Sequence, residues 1–181
     1  MMRKVIVSNV ASLDGFFETL NKELDWFVPD AEFLEYAAHL LRAVDTLLFG
    51  RTTYQLMANY WPSAPADEVA DKMNNLPKIV FSKTLQKVDW NNSRLVGGEI
   101  QKEVSKLKAE PGKGMVVFGS ATLASYLLQV GLVDEYRVIL HPVLLGSGNP
   151  LFKAIAERIQ LKLISAKAFG SGVVLLRYQR A

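Results

Sequence analysis

The sequence predicts an α/β fold: a single three-layer domain over residues 1–181, with helices on both faces of a mixed, mostly parallel sheet. The 181 residues are enough for one domain and few for two. Short apolar runs alternate with helical patterns over the first two thirds of the chain. The last third carries strand patterns with little room for helices between them, which predicts a C-terminal antiparallel hairpin.

Four short strands are predicted in the first two thirds. Residues 4–10 are β-branched and rich in valine, and residues 46–49, 78–81 and 115–118 are apolar runs bounded by turn residues. Short buried strands that alternate with helices favour a largely parallel sheet.

Four helices are predicted between these strands. The first follows Asp30, a suitable N-cap, and repeats apolar residues at helical spacing. The second begins near Thr52, the third spans about 99–108, and the fourth spans 120–130 and ends before Gly131 as its C′ residue.

The last third is predicted to be mostly strand. Residues 135–140, 159–169 and 173–179 have strand patterns, and Gly-Ser-Gly at 170–172 is typical of a hairpin turn. The segment 141–153 predicts a loop that crosses the surface.

Composition and charge exclude several classes of protein. The chain has no cysteine, which excludes disulfides, thiolate metal sites and a cysteine nucleophile. The net charge is +3, but 21 basic residues are mixed with 18 acidic ones. The densest basic stretch, residues 102–113, also contains glutamates and is typical of a solvated helix face, so no nucleic-acid partner is expected. The mild positive charge suits a small anionic ligand such as a dinucleotide.

No membrane or secretory segment is predicted. No stretch approaches the roughly 20 apolar residues that a spanning helix needs. Residues 1–15 contain only a short apolar run before Asp14, which predicts a first strand and not a signal peptide. We therefore expect no membrane partner and a cytoplasmic location.

Three predicted strand ends carry hydroxyls, glycines and cations. They are Gly-Arg-Thr-Thr-Tyr at 50–54, Ser-Lys-Thr at 82–84 and Gly-Ser-Ala-Thr-Leu at 119–123. Any one of them is also typical of an ordinary strand-to-helix turn. Three together, two of them with a cation, favour a ligand with several phosphates bound at the carboxyl edge of the sheet. Neither G-x-G-x-x-G nor G-x-x-x-x-G-K-[ST] occurs, so a standard Rossmann site and a P-loop are not supported.

Six segments in this order resemble the RibD C-terminal domain family, the reductase domain of riboflavin biosynthesis, which shares the dihydrofolate reductase fold. They are V-A-S-L-D-G (10–15), L-D-W-F (24–27), L-F-G-R-T-T-Y (48–54), I-V-F-S-K-T-L (79–85), V-F-G-S-A-T-L (117–123) and D-E-Y-R-V-I-L-H-P-V-L-L-G-S-G (134–148). The resemblance covers nearly the whole chain. It implies an NADPH-dependent reductase that transfers a hydride to a small heterocyclic substrate, pterin-like or pyrimidine-like.

The resemblance also implies which residues contact NADPH. Arg51 would lie toward the 2′-phosphate of the adenine ribose, with Ser82 and Lys83 beside it, and Ala11 would lie near the nicotinamide. The loop 12–26 would form a mobile flap over the reaction centre. The full set of cofactor residues would be Ala11, Gly50, Arg51, Thr52, Thr53, Ser82, Lys83, Gly119, Ser120, Ala121, Thr122 and Leu123.

Four further residues have a catalytic or substrate-binding interpretation beside a structural one. Asp14 is the catalytic candidate, as a group that orients substrate or relays a proton, or it caps a turn before Gly15. Trp26, Glu32 and Tyr54 are the substrate candidates. Their structural alternatives are loop packing, a first-turn partner of the helix dipole, and packing of a helix against the sheet.

Two histidines far apart, His39 and His141, make no metal site, and structural roles are expected for both. The sequence departs from many relatives in having Gly119-Ser120 where they have Gly-Gly. The zinc deaminase domain of the bifunctional riboflavin enzyme is not expected, so the chain is interpreted as a stand-alone member.

Alternatives to a reductase stay open. A non-catalytic NADP-binding protein of the same fold would keep the same cofactor residues, so the sequence does not separate it from an enzyme. A purely structural or interaction domain is disfavoured by the cations and hydroxyls at the strand ends. A homodimer is also expected, because the apolar segments 138–140 and 173–176 would otherwise leave an exposed apolar sheet edge.

Overall fold

Ten strands and five α-helices are found in a computed structural model, which describes residues 2–181. The strands are β1 (Val5–Ser12), β2 (Phe16–Glu18), β3 (Val44–Gly50), β4 (Lys78–Phe81), β5 (Ser93–Val96), β6 (Gly114–Phe118), β7 (Glu135–His141), β8 (Asn149–Pro150), β9 (Leu161–Ala168) and β10 (Val174–Arg180). The helices are α1 (Ala31–Ala43), α2 (Arg51–Tyr60), α3 (Glu68–Asn75), α4 (Ile100–Ala109) and α5 (Ala121–Gln129), with a short 3₁₀ helix at Trp61–Ser63.

Eight strands form one sheet in the order β5-β4-β3-β6-β1-β7-β10-β9. The strands from β5 to β7 are parallel, β10 is antiparallel to β7, and β9 is antiparallel to β10. The other two strands, β2 and β8, pair with each other. The predicted mixed, mostly parallel sheet with a C-terminal antiparallel hairpin is confirmed.

Helices cover both faces of the sheet. On one face, α4 and α5 bury Leu107 and Leu127 against β1 and β6. On the other face, α1 and α3 bury Leu41 and Met73 against β3 and β4. Each such side chain contributes about 1.5–3 kcal/mol when it leaves water.

The helix boundaries follow from local chemistry. The Asp30 carboxylate accepts the N–H of Phe33 at 2.7 Å and caps α1, as predicted. Gly131 follows the C-cap of α5 with φ +72°, also as predicted. The helix α3 was not predicted from the sequence, although Asp67 caps it by accepting the N–H of Ala70 at 2.7 Å.

The strands proposed as an exposed edge lie inside the sheet, which corrects that prediction. Residues 138–140 belong to β7, which pairs with β1 and β10, and most of 173–176 belongs to β10, which pairs with β7 and β9. Among the described residues, the edges of the large sheet are β5 and β9. The reason is that the last hairpin turns back, so its second strand enters between β7 and β9.

A gap opens beside β1 at the carboxyl end of the sheet. Strand β6 pairs with β1 only as far as Ser8, whereas β7 pairs with β1 as far as Ser12. Residues 9–12 therefore have a strand partner on one side only. Strand β6 lies between β3 and β1 although it follows both in the chain, and ligands of open α/β sheets bind at such switch points.

Within residues 2–181, no helix has the length and apolar character needed to cross a membrane.

Candidate cofactor and substrate site

The carboxyl ends of β3 and β6 are joined by two hydrogen bonds. Gly50 donates its N–H to Ser120 Oγ at 3.0 Å, and Ser120 donates its own N–H to Thr53 Oγ1 at 2.9 Å. Gly119 and Ser120 both have a left-handed backbone, with φ +57° and +48°. A Cβ on Gly119 would lie 3.2 Å from Thr53 Cγ2. The turn after β6 is therefore built directly onto the first turn of α2.

Two helices begin at this turn without side-chain caps. Neither Gly50 at the start of α2 nor Ser120 at the start of α5 caps its own helix with a side chain. Because a helix N-terminus carries the positive end of the helix dipole, two neighbouring N-termini favour an anion. In α5, Thr122 is exposed, whereas Ala121 and Leu123 are buried, so the Leu123 side chain packs in the core.

Arg51 and Lys83 place positive charges at two adjacent strand ends. Arg51 is the first residue of α2, after β3, and Lys83 follows β4, which pairs with β3. Both side chains are exposed, as is Thr52. Neither cation forms an ion pair with any residue in the described part of the chain. These charges are free to meet an anionic ligand.

Lys83 also lines a cavity of about 640 Å³ together with Gly97, Gly98 and Tyr126. Ser82 Oγ accepts the N–H of Leu85 at 3.0 Å and so holds the turn that carries Lys83. A Cβ on Gly98 would meet nothing within 4 Å, so the cavity is open there. Sequence reasoning missed this Gly-Gly pair because it missed β5, the short edge strand that precedes it.

The segment predicted as a flap is tied to the loop before β9. Strand β2 pairs with β8, and Leu13 donates its N–H to the carbonyl of Val143 at 2.8 Å. Asn149 Nδ2 donates to Glu18 Oε1 at 2.8 Å. The first half of the flap and the loop 142–150 therefore form one small unit at the rim of the gap.

Asp14 lies at the centre of this unit. Its carboxylate accepts the hydroxyl of Ser12 at 2.6 Å, the N–H of Leu145 at 3.1 Å and the N–H of Gly146 at 2.8 Å. The Ser12 hydroxyl, with help from the two amides, holds the pKa of Asp14 below 3.8. These contacts favour the interpretation of Asp14 as a turn cap. A carboxylate that accepts three hydrogen bonds is ionised at neutral pH and holds no proton to relay.

Trp26 contacts a histidine at the end of β7. The Trp26 and His141 rings meet edge to face with centroids 5.4 Å apart, and Phe27 meets the same His141 ring at 5.2 Å. Trp26 Nε1 and His141 Nε2 are both buried and have no hydrogen-bond partner among the described residues. Burial lowers the pKa of His141 below 6.5, and the carboxylate of Asp30 opposes that shift.

Glu32 contacts the last hairpin. Its Oε2 accepts the N–H of Gly170 at 2.5 Å, and Lys167 Nζ lies 4.0 Å from its other oxygen. Glu32 thus joins the start of α1 to the turn between β9 and β10. Nearby, at the start of the same helix, Asp30 faces His141. The structure gives it a hydrogen-bonding role at this rim.

Tyr54 is buried and points away from the gap. Its hydroxyl accepts the N–H of Trp90 at 3.0 Å, and its ring lies 6.2 Å from that of Trp90. These contacts favour a packing role for Tyr54, as in the structural alternative, but its hydrogen bond and ring contact are with Trp90 in the segment after β4.

The structure therefore brings the predicted residues together in two groups at one edge of the sheet. The first group is the junction of β3, β4 and β6 with its open helix N-termini and cations. The second surrounds the end of β1, where Ala11 is fully buried and pairs with Leu140. His141 was predicted to be structural, and its unpartnered nitrogen could be found only from the structure. Within residues 2–181, no cluster of three or more acidic or histidine side chains is arranged to hold a metal ion.

Comparison with known proteins agrees with this architecture. The family model of the RibD C-terminal domain matches residues 3–175. The uncharacterized protein YyaP of Bacillus subtilis is 37% identical over 182 residues, which cover 97% of this chain and 94% of that protein.

Two solved structures show the same fold. A pyrimidine reductase-like protein from Corynebacterium diphtheriae matches with a TM-score of 0.74 at 13% identity, over 99% of this chain and 92% of that one. Dihydrofolate reductase from Enterococcus faecalis, solved with NADP(H), matches with a TM-score of 0.65 at 13% identity, over 99% of both chains. The dihydrofolate-reductase-like fold predicted from the sequence is confirmed.

Proposed function

We propose that this chain is an NADPH-dependent reductase, because it belongs to the RibD C-terminal domain family, a reductase-type family. Its substrate would be a small heterocycle, pterin-like or pyrimidine-like, and residues 1–181 would act as one catalytic domain. The observation that carries the proposal is the junction of β3 and β6. There, two uncapped helix N-termini meet beside two exposed, unpaired cations.

The donor groups at this junction fit a dinucleotide phosphate. The N-termini of α2 and α5 would hold the pyrophosphate, because their N–H groups and dipoles favour an anion. Arg51 and Lys83 would hold the 2′-phosphate, since a guanidinium can bind two phosphate oxygens at once. The cavity beside Lys83, with its two glycines, leaves room for the adenosine end.

The second group of residues fits the reacting end of such a ligand. When bound, NADPH supplies a hydride. The gap beside residues 9–12 would seat the nicotinamide ring near the backbone of Ala11, whose methyl group packs in the core. The flap and the 142–150 loop would exclude water. Holding the reacting atoms about 3–3.5 Å apart in this way supplies roughly 7–11 kcal/mol of the barrier reduction.

A two-step experiment tests the proposal. Quenching of the tryptophan fluorescence measures NADPH binding, and loss of NADPH absorbance with a panel of oxidised pterins and pyrimidines measures turnover. Saturable binding with oxidation by a panel member supports the reductase. Saturable binding without any oxidation supports the non-catalytic NADP-binding alternative, and a protein that binds no NADPH contradicts both.

A further inference from the structure

We propose that His141 is the proton donor of this site, and that Trp26 orients the substrate beside it. The inference rests on the proposed reductase function and assigns a residue to the half of the reaction that the cofactor does not supply. A hydride adds two electrons and one hydrogen to the substrate, so the second hydrogen must come as a proton from the protein or from water.

The ring of His141 is held by aromatic packing, with no polar contact at its buried Nε2 among the described residues. The side chain is only 5% exposed. The Trp26 and Phe27 rings both meet it edge to face, at interplanar angles of 74° and 79°. Nevertheless, Nε2 has no partner among the described residues. A buried polar atom without a partner costs about 1–3 kcal/mol, so such atoms are uncommon in native proteins unless a ligand or water meets them.

A second unused donor lies on the ring that contacts it. Trp26 Nε1 is buried and also lacks a partner among residues 2–181. Trp26 belongs to the flap and His141 to the sheet, so the two nitrogens are carried by two different segments of the chain. One ligand that enters between flap and sheet would satisfy both atoms.

The sheet register places His141 at the same end of β1 as the expected reaction centre. His141 pairs with Ser12, one position beyond the pair formed by Leu140 and Ala11. Both pairs lie on the part of β1 that continues past the end of β6. Because successive strand residues alternate between the faces of the sheet, the His141 side chain lies on the face covered by α1 and the flap, whereas Ala11 packs on the other face.

The charged groups around His141 favour its protonated form only weakly. From α1, the carboxylate of Asp30 faces it and raises its affinity for a proton. The Glu32 carboxylate accepts a hydrogen bond from Gly170, and the Asp14 carboxylate accepts hydrogen bonds from Ser12, Leu145 and Gly146. The flap contributes only the uncharged Trp26 and Phe27 rings. Burial is the larger effect, so the imidazolium is a stronger acid than in water.

The hydride transfer and the proton transfer together reduce one double bond of the substrate. The hydride of NADPH forms a C–H bond at the electrophilic carbon of a C=N or C=O group as the π bond breaks. The electron pair of that bond moves to nitrogen or oxygen, which takes the proton from His141 Nε2. The products are NADP⁺, the reduced heterocycle and neutral imidazole, which regains a proton from water when the flap opens.

The test uses the fact that the chain has two histidines. His39 lies on α1 and is exposed, so His39→Gln is a matched control that also assigns the resonances. We expect NMR titration to give His141 a lower pKa in the NADP⁺ complex than in the NADPH complex. The extra positive charge on the oxidised ring disfavours a second positive charge on the imidazole, so the pKa shifts downward.

Kinetics with the panel compound that is reduced fastest supply the second readout. The wild-type rate should fall tenfold per pH unit above the pKa of His141, and so should that of His39→Gln. His141→Phe keeps the ring contacts, and His141→Gln keeps a polar atom. We expect both to lose about 10²–10⁴-fold in kcat and to lose this pH dependence.

The possible failures are distinguishable. Two results would contradict the role of His141 and leave the reductase function intact. One is cofactor binding with the same His141 pKa in both complexes, and the other is a His141→Phe rate with the wild-type pH profile. Absence of cofactor binding contradicts the function and this inference together. Unfolding midpoints of both variants close to wild type exclude misfolding as the cause of any loss.

Discussion

The hydroxyl of Ser120 accepts the backbone N–H of Gly50 at 3.0 Å, although Ser120 itself has a left-handed backbone at φ +48°. A non-glycine residue in that conformation costs about 1–2 kcal/mol. The hydrogen bond from Gly50 offsets this strain.

This relationship predicts opposite behaviour of two small substitutions. Ser120→Ala loses the bond and keeps the strain, so we expect it to lower the free energy of unfolding by about 1–3 kcal/mol. Ser120→Gly loses the bond but relieves the strain, so its loss should be smaller by about 1 kcal/mol. Urea unfolding of the three proteins measures both values. Equal destabilisation by the two variants would show that the left-handed backbone of Ser120 is not strained.

Arg51 is expected to select NADPH over NADH. A charge-assisted hydrogen bond contributes about 1.5–3 kcal/mol, so Arg51→Ala should weaken NADPH binding about ten- to a hundredfold and leave NADH binding nearly unchanged. Arg158→Ala, at an exposed arginine in the segment before β9, is the matched control. Fluorescence titration of wild type and both variants with the two cofactors gives the six affinities. If Arg51→Ala weakens both cofactors equally, Arg51 holds the pyrophosphate or the fold instead.

Asp14 is expected to stabilise the flap unit through its anionic form. Asp14→Asn should speed hydrogen exchange at the amides of Leu145 and Gly146, which donate to it. Asp25→Asn, at an exposed flap position, should not. Because the pKa of Asp14 is lowered by its donors, the stabilisation is present above pH 3.8 and is lost as the pH falls below that range. A turnover lost in Asp14→Asn with unchanged amide exchange would instead support the catalytic interpretation.

NADPH should also protect the rest of the flap. Residues 19–25 form a local turn through hydrogen bonds between Thr19 and Glu23, whereas β2 pairs with β8 and so fixes the first half of the flap. We therefore expect slower amide exchange over 19–25 in the NADPH complex than in the free protein. Equal protection in the two states would contradict a mobile lid.

Lys78 is expected to make stability rise with pH in mildly alkaline solution. It is fully buried, and burial lowers its pKa to about 8. Between that pKa and the unfolded value of 10.5, the unfolded chain binds the proton and the folded protein does not, so the free energy of unfolding increases. The increase is at most about 3 kcal/mol. It is reduced because Nζ donates to the carbonyls of Asn74, Leu76 and Asn91, each at 2.9 Å, which favours the charged form.

The comparison with Lys78→Met isolates this group. The variant leaves three carbonyls without their donor and should be less stable than wild type at every pH. The difference between the two proteins should widen from pH 8 to pH 10. A constant difference would show that Lys78 keeps its proton throughout that range.

A homodimer is still expected, but through a different edge. Strand β9 is an edge of the sheet and exposes Leu163 and Ile164 at 50% and 44%. An apolar edge strand left in water invites pairing with another strand. Light scattering should give about twice the chain mass of 20.2 kDa, and Ile164→Lys should give the single mass. A wild-type mass near 20.2 kDa contradicts the prediction.

Much of the fold could be predicted because strong local patterns coincide with tertiary contacts. The apolar runs that became β3, β4 and β6 are buried on both faces, and Asp30 and Gly131 mark helix ends by backbone chemistry alone. Strand β5 was missed because four residues at a sheet edge, including the exposed Arg94, carry little hydrophobic signal. The pairing of β2 with β8 joins segments about 130 residues apart, which no local pattern encodes.

The candidate site was predicted only in part for the same reason. Residues that follow buried strands, such as Arg51 and Lys83, could be placed at one edge from the parallel topology. The contacts that distinguish roles could not. Tyr54 reaches Trp90, Glu32 reaches Gly170, and Trp26 reaches His141 across more than 30 residues in each case. Such distances are set by packing and not by spacing along the chain.

The position of β6 has a consequence for how the chain folds during synthesis. Strands β1 and β3 are both made early, yet neither pairs with the other, because residues 114–118 must enter between them. Until that segment leaves the ribosome, two apolar strand edges stay open, and closure requires contacts far apart in sequence, which form slowly. A chaperone that shields strand edges would therefore act on nascent chains from which residues 114–118 have not yet emerged. A chain split in the exposed segment 110–113 should yield two fragments that fold only on each other.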